Sequence, residues 1–141
     1  MSENFNYERR VAFSDTDAMG VTHHANYLRF LEEARVAWMR TRGLSHTHFP
    51  ANDRVLALLR FQVWHLRPSR FEDVLTIRLQ VRHEGLRIHF QYVINKGDEL
   101  IAEAETVHVP VDGKLKPTRL EPALLAALEK EKWIATWLSN S

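Results

Sequence analysis

Ser14-Asp15-Thr16-Asp17-Ala18-Met19-Gly20-Val21-Thr22-His23-His24-Ala25-Asn26-Tyr27 separates a strand-like start from a long helical pattern. It brings two carboxylates, a glycine and two histidines to the opening of that helix. A helix start carries unpaired N–H groups and a partial positive charge, so it can hold an oxyanion or polarise a carbonyl. A carboxylate a few residues upstream can fold back beside it. Together these are the two parts hydrolysis needs: a group that attacks or activates water, and a group that holds the developing charge. Asp15-Thr16-Asp17 reads equally as turn and capping chemistry, because Asp, Thr and Asn bond their own backbone in loops.

Outward from that stretch, residues 5–13 read as a first strand, with Tyr7, Arg9 and Val11 on one side. From His24 to about Arg42, Tyr27, Leu31, Ala34 and Trp38 recur at helical spacing, and Leu28, Phe30, Ala37 and Met39 widen the apolar surface. A helix so apolar must be covered by a sheet. Gly43 suits the position just past its end. Residues 45–52 read as a polar loop. Four strand patterns follow: Val55 to Leu66, Val74 to Arg82, Leu86 to Ile94 and Leu100 to Val111. Turn signals at Arg67-Pro68, Gly85 and Asn95-Lys96-Gly97-Asp98 join them as consecutive strands with short connections, which means an antiparallel sheet. Pro122 opens a helix expected to run over about 121–138, with Leu124, Leu125, Leu128 and Ala135 on one face. The order predicts an α+β architecture, a curved antiparallel sheet wrapped around one long central helix, with a second helix at the C-terminus.

The chain has 141 residues, fitting a single domain over 1–141 with a core at about 5–117. At 45% hydrophobic residues it can build a full core, and a net charge of +1 calls for neither nucleic acid nor an anionic membrane. With no cysteine, disulfides and thiolate metal sites are excluded. No apolar run is long enough to span a bilayer and the first residues lack the apolar core of a signal peptide, so a cytoplasmic protein is expected.

Asp15-Thr16-Asp17-Ala18-Met19-Gly20-Val21, followed by His24-Ala25-Asn26-Tyr27, resembles the signature of the hotdog-fold acyl-CoA thioesterases, in their 4-hydroxybenzoyl-CoA thioesterase-like branch. Two weaker matches follow in order. One is Pro68 with Phe71-Glu72-Asp73-Val74-Leu75. The other is Ala102-Glu103-Ala104-Glu105-Thr106-Val107-His108-Val109, running on to Asp112 and Lys116-Pro117. The resemblance spans Val11 to about Pro117.

The resemblance implies that Asp17 is the catalytic carboxylate, as nucleophile or as general base on water. It implies that the backbone N–H groups of His24 and Ala25 form the oxyanion hole, with the His24 ring assisting. Asp15 shapes the loop, Gly20 allows its torsions, and Tyr27 packs. It implies coenzyme A contacts around the turn Gly85-Leu86-Arg87; Arg87 departs from the small hydroxyl residue common there. Arg82, Lys114 and Lys116 are surface charges by default. The substrate is an acyl-CoA or an acyl-carrier protein thioester, and no cofactor is required. Two copies pair edge to edge, as a homodimer or homotetramer, with active sites between subunits and Val55 to Leu59 facing the partner's helix start. Leu56, Leu58, Phe61 and Met19 are candidates to line the acyl pocket, whose chemistry the sequence leaves open.

Two other functions fit the same fold: a non-catalytic module that binds or senses acyl-CoA or an acyl carrier, and hydration of an enoyl thioester. The carboxylate Asp17 favours hydrolysis. A metal reading of His23-His24 or His46-Thr47-His48 fails on spacing, since no third ligand is placed to join them. His65, His83, His89 and His108 fall in strand patterns and read as surface or core residues. Trp133 and Trp137, at helical spacing on the last helix, read as packing against the body.

Overall fold

The computed structural model describes residues 5–44 and 54–139. The expected loop at 45–52, with His46 and His48, lies outside the described residues. The elements are β1 (Phe5–Arg10), α1 (His24–Thr41), β2 (Arg54–His65), β3 (Val74–Glu84), β4 (Arg87–Lys96), β5 (Glu99–Asp112) and α2 (Pro122–Glu129). The strands form one antiparallel sheet in the order β1-β3-β4-β5-β2.

The alternation in β3 and β4 sets which face is buried. Leu75, Ile77, Leu79 and Val81, and across from them Ile88, Phe90, Tyr92 and Ile94, are all buried. Their register pairs Val81 with Phe90, Leu79 with Tyr92 and Ile77 with Ile94, so directly opposed residues share one face. That face meets the apolar side of α1: Tyr27, Phe30, Leu31, Ala34, Trp38 and Met39. The helix stops as its sequence requires. Gly43 takes φ +72, the Gly43 N–H donates to Arg40 O and the Leu44 N–H to Met39 O. This satisfies two of the open carbonyls at the helix end and buries Leu44.

Three expectations are corrected. First, β1 ends at Arg10 rather than continuing to Phe13. Val11 is fully buried and exchanges backbone hydrogen bonds with the loop before β3 (Val11 N–H to Asp73 O, Glu72 N–H to Val11 O). Asp15 then accepts the Ala12 N–H and folds residues 13–15 into a 3₁₀ turn.

Second, β2 and β3 are not neighbours. Short turns join β3 to β4 and β4 to β5, but β2 pairs with β5 at the opposite edge from β1. The linker 66–73 crosses the end of the sheet. It is held there because Leu66 and Arg67 donate to Ile101 O, and Ser69 O accepts the Thr22 N–H.

Third, the C-terminal helix ends at Glu129, not near Leu138. The Gln80 side chain captures the next segment: its Nε2 donates to Ile134 O and its Oε1 accepts the Ile134 N–H, both at 3.0 Å. That amide substitutes for a neighbouring strand, and Trp, Ile and Thr have little helical propensity to oppose it. Trp133 and Trp137 do pack on the body, under Arg82 and Arg78, from an irregular segment that turns at residues 135–136 rather than from a helix face. Among the described residues no helix is long and apolar enough to cross a membrane.

Candidate active site

The motif loop is built by a short ribbon. Thr16 and Thr22 face each other as an isolated antiparallel bridge; the Asp17 N–H donates to Val21 O and the His23 N–H to Asp15 O. Gly20, at φ +80, turns the ribbon, and its N–H donates to Asp17 O at 3.0 Å. A side chain at that torsion would be strained. The ribbon therefore ties Asp17 to the first turn of α1.

Its two aspartates have different surroundings. Asp15 is fully buried. Its carboxylate accepts from the Ala12 N–H at 2.8 Å, from Arg9 at 3.0 Å and from Arg29. Its carbonyl accepts the Asn26 side-chain amide at 2.8 Å. Asp15 thus locks strand, loop and helix together, the shaping role expected of it. Asp17 is half-buried. Its Oδ1 accepts the Met19 N–H at 2.8 Å, and its Oδ2 has no hydrogen bond among the described residues. One carboxylate is spent on structure; the other holds its orientation with one oxygen and presents the second.

At the helix start His23 is the N-cap, and its Nδ1 accepts the Ala25 N–H at 3.2 Å. The His24 N–H makes no hydrogen bond among the described residues, so it is the open donor, while the Ala25 N–H is occupied as long as the His23 ring stays in place. The two imidazoles stack with centroids 4.3 Å apart.

His24 lines a cleft of about 280 Å³ with Thr22, Tyr27, His65 and the linker residues 66–68. Tyr27 is buried, as expected of a packing residue, but its hydroxyl lies 2.7 Å from Ser69 Oγ, which in turn lies 2.6 Å from Thr22 Oγ1. His65 at the end of β2 meets the Tyr27 ring edge-on at 5.1 Å. Burial, then the nearby charge of His24, push the His65 imidazole below its usual range. From the sequence His65 read only as a surface or core residue, and Ser69 and Thr22 were given no role. Only Pro68, which breaks the strand pattern just before Ser69, marked the place.

The turn Gly85-Leu86-Arg87 does not join this cleft within one chain. It sits at the far end of β3, roughly 33 Å from the motif loop at about 3.3 Å per residue. Leu86 and Arg87 are exposed. Of the residues considered for an acyl pocket, Met19, Leu58 and Phe61 are exposed in the single chain, and Leu56 lies half-buried at the other end of β2.

A curved antiparallel sheet packed on one long helix, with the motif loop tied by backbone hydrogen bonds to that helix's start, is the architecture of the hotdog-type thioester hydrolases. The comparisons agree: a model described as the thioesterase-like superfamily matches residues 11–128, and the chain belongs to that family. It is 32% identical over 129 residues to the acyl-CoA thioester hydrolase YbgC of Escherichia coli O6:H1, covering 89% of this chain and 96% of that protein. It is 30% identical over 115 residues to a 1,4-dihydroxy-2-naphthoyl-CoA hydrolase of Crocosphaera subtropica, covering 78% and 84%. Among solved structures, a 1,4-dihydroxy-2-naphthoyl-CoA thioesterase from Synechocystis superposes with a TM-score of 0.85 at 26% identity, covering 91% of this chain and 97% of that one.

Proposed function

We propose that this protein hydrolyses an acyl-CoA thioester to the free acid and coenzyme A, with Asp17 as the reacting carboxylate. The observation that carries the reading is the free Oδ2 of Asp17 on a ribbon fastened to the open N–H of His24. The thioester carbonyl seats against that N–H, where the helix dipole adds to the hydrogen bond. Asp17 either attacks the carbonyl carbon, giving an anhydride that water then opens, or takes a proton from the attacking water. The bond that breaks is carbon to sulfur. The leaving group is a thiolate, stable enough near neutral pH to depart without a strong acid. When the His23 ring swings away, the Ala25 N–H becomes a second donor.

The proposed assembly is a two-fold pair joined through β2. Among the described residues this 12-residue edge strand has one unpaired side, and it exposes Val55, Leu58, Leu59 and Phe61. A long apolar edge is a template for another strand. Antiparallel pairing reverses direction, so the far end of each chain lies beside the partner's catalytic loop. That arrangement also supports a coenzyme A role for Gly85, Leu86 and Arg87, acting on the partner's cleft. An acyl-carrier protein remains the alternative carrier.

The test is free-thiol release from a panel of acyl-CoAs by the wild type and Asp17→Asn. Release that depends on Asp17 supports the reading. Tight acyl-CoA binding without release from any substrate would favour a sensor instead.

A further inference from the structure

Ser69 is fully buried in the linker between β2 and β3, and it meets the start of α1 through its side chain as well as its backbone. Its Oγ lies 2.6 Å from Thr22 Oγ1 and 2.7 Å from the Tyr27 hydroxyl. Thr22 precedes the helix, which begins at His24, and Tyr27 closes its first turn. His24, whose N–H is the open donor, lies between the two. One buried oxygen therefore holds both ends of the stretch that carries that donor.

The three hydroxyls form a closed series. Thr22 Oγ1 donates to Ser69 O at 3.2 Å. Ser69 Oγ then donates to Thr22 Oγ1, and the Tyr27 hydroxyl donates to Ser69 Oγ, so every proton has an acceptor. Tyr27 is 3% exposed, and its hydroxyl has no other partner among the described residues. Without Ser69 Oγ the phenol proton is left unmatched inside the protein, which is costly. It finds an acceptor only by moving, and the first turn of α1 moves with it.

The anchor beneath Ser69 is the sheet itself. Leu66 and Arg67 donate their N–H groups to Ile101 O, at 2.9 and 3.1 Å, and Ile101 is fully buried in β5. Pro68 restricts the backbone between these bonds and Ser69. Main-chain contacts already fasten the motif loop to this linker: the Thr22 N–H donates to Ser69 O at 2.7 Å, and Val21 bridges Arg70. The side-chain hydroxyl is not needed to bring loop and linker together. What it adds is the direction of the helix start. A donor meant for a developing oxyanion has to be aimed to within about 0.5 Å, by neighbours that are themselves fixed.

We infer that Ser69 is a positioning residue for thioester hydrolysis: from the end of the sheet, through Thr22 and Tyr27, it aims the His24 N–H at the substrate carbonyl. The inference rests on the thioesterase reading.

The test compares the full-length wild type with Ser69→Ala and Thr22→Val, on the acyl-CoA of the panel that the wild type hydrolyses fastest. A misaimed donor weakens binding of the transition state and not of the substrate, so kcat should fall about 10–100-fold with KM unchanged. A hydrogen bond at the carbonyl also lowers its stretching frequency. Infrared difference spectra of the same acyl-CoA, isotope-labelled at the carbonyl and bound to Asp17→Asn, should show that lowered stretch. Adding Ser69→Ala to Asp17→Asn should return it toward its value in solution. Unchanged kcat in both variants overturns the inference. A fall in kcat with the stretch unmoved also overturns it, because Ser69 then serves the fold or another step. If Ser69→Ala does not fold, Thr22→Val, which keeps Ser69 bonded to Tyr27, carries both readouts. Either failure beside wild-type release that depends on Asp17 leaves the thioesterase reading standing. No release by the wild type from any member defeats that reading first, and this inference with it.

Discussion

Asp15 and Arg9 meet at 3.0 Å, with the Asp15 side chain 1% exposed and that of Arg9 19% exposed. Asp15 lies two residues before Asp17, whose second oxygen has no hydrogen bond among the described residues. Breaking a buried pair from one side leaves an uncompensated charge, at a cost of about 3–5 kcal/mol. Asp15→Ala is expected to destabilise the fold by roughly 3 kcal/mol, read from urea unfolding, and to lower activity because the loop loses its anchor. A wild-type midpoint for this variant would show the pair to be dispensable.

Asp17→Asn should behave in the opposite way. It keeps the carbonyl oxygen that accepts the Met19 N–H, so the melting temperature stays near that of the wild type. It loses the proposed base or nucleophile, so turnover should fall about 10²–10⁴-fold. Thiol release and a thermal melt on the same preparation separate the two aspartates.

His108 sets an acid limit on stability. Its folded pKa of about 3 lies below the usual value of 6.5. Above pH 6.5 both folded and unfolded chains hold the ring neutral. As pH falls below 6.5 only the unfolded chain takes the proton, so stability declines by roughly 1.4 kcal/mol per pH unit until the folded pKa is reached. In His108→Phe this part of the slope should vanish. Urea midpoints between pH 7 and 5 for both proteins measure it; equal slopes would place the acid sensitivity elsewhere.

The β2 edge predicts an assembly phenotype. Phe61 is 51% exposed on a strand with one unpaired side. Phe61→Glu places a charge where the proposed seam lies, and should convert a dimer at micromolar concentration into a monomer in sedimentation velocity. Activity should fall with it, because the cleft and the partner's far end separate. A wild-type protein that sediments as a monomer and is fully active would refute the seam.

Much of this molecule was legible from local patterns. Leu75-Ile77-Leu79-Val81 and Ile88-Phe90-Tyr92-Ile94 alternate so regularly that their strands, face and pairing follow from period alone. The spacing of Tyr27, Leu31, Ala34 and Trp38 fixed the buried side of the central helix. What escaped depended on long-range partners. The end of the last helix is set by Gln80, whose side chain holds Ile134 across a separation of 54 residues. The placement of β2 at the far edge depends on where residues 66–73 find backbone partners. In the site, the different roles of Asp15 and Asp17 became distinct only once Arg9 and Arg29 were seen on one of them. The place of Ser69 and His65 beside the helix start came into view only when the linker crossed the sheet end.

That crossing carries a temporal consequence. β3, β4 and β5 are joined by tight turns and can zip up locally. The Thr22–Ser69 hydroxyl contact, by contrast, closes a span of 47 residues, and Tyr27–Ser69 one of 42. Long closures carry an entropic cost before their contacts repay it. We therefore expect the end of the sheet that carries the motif loop to form last on refolding and to open first under denaturant. Along a urea titration, thiol-release activity should disappear before the far-ultraviolet circular dichroism of the sheet. Coincident curves would mean that the sheet and that end of it melt as one unit.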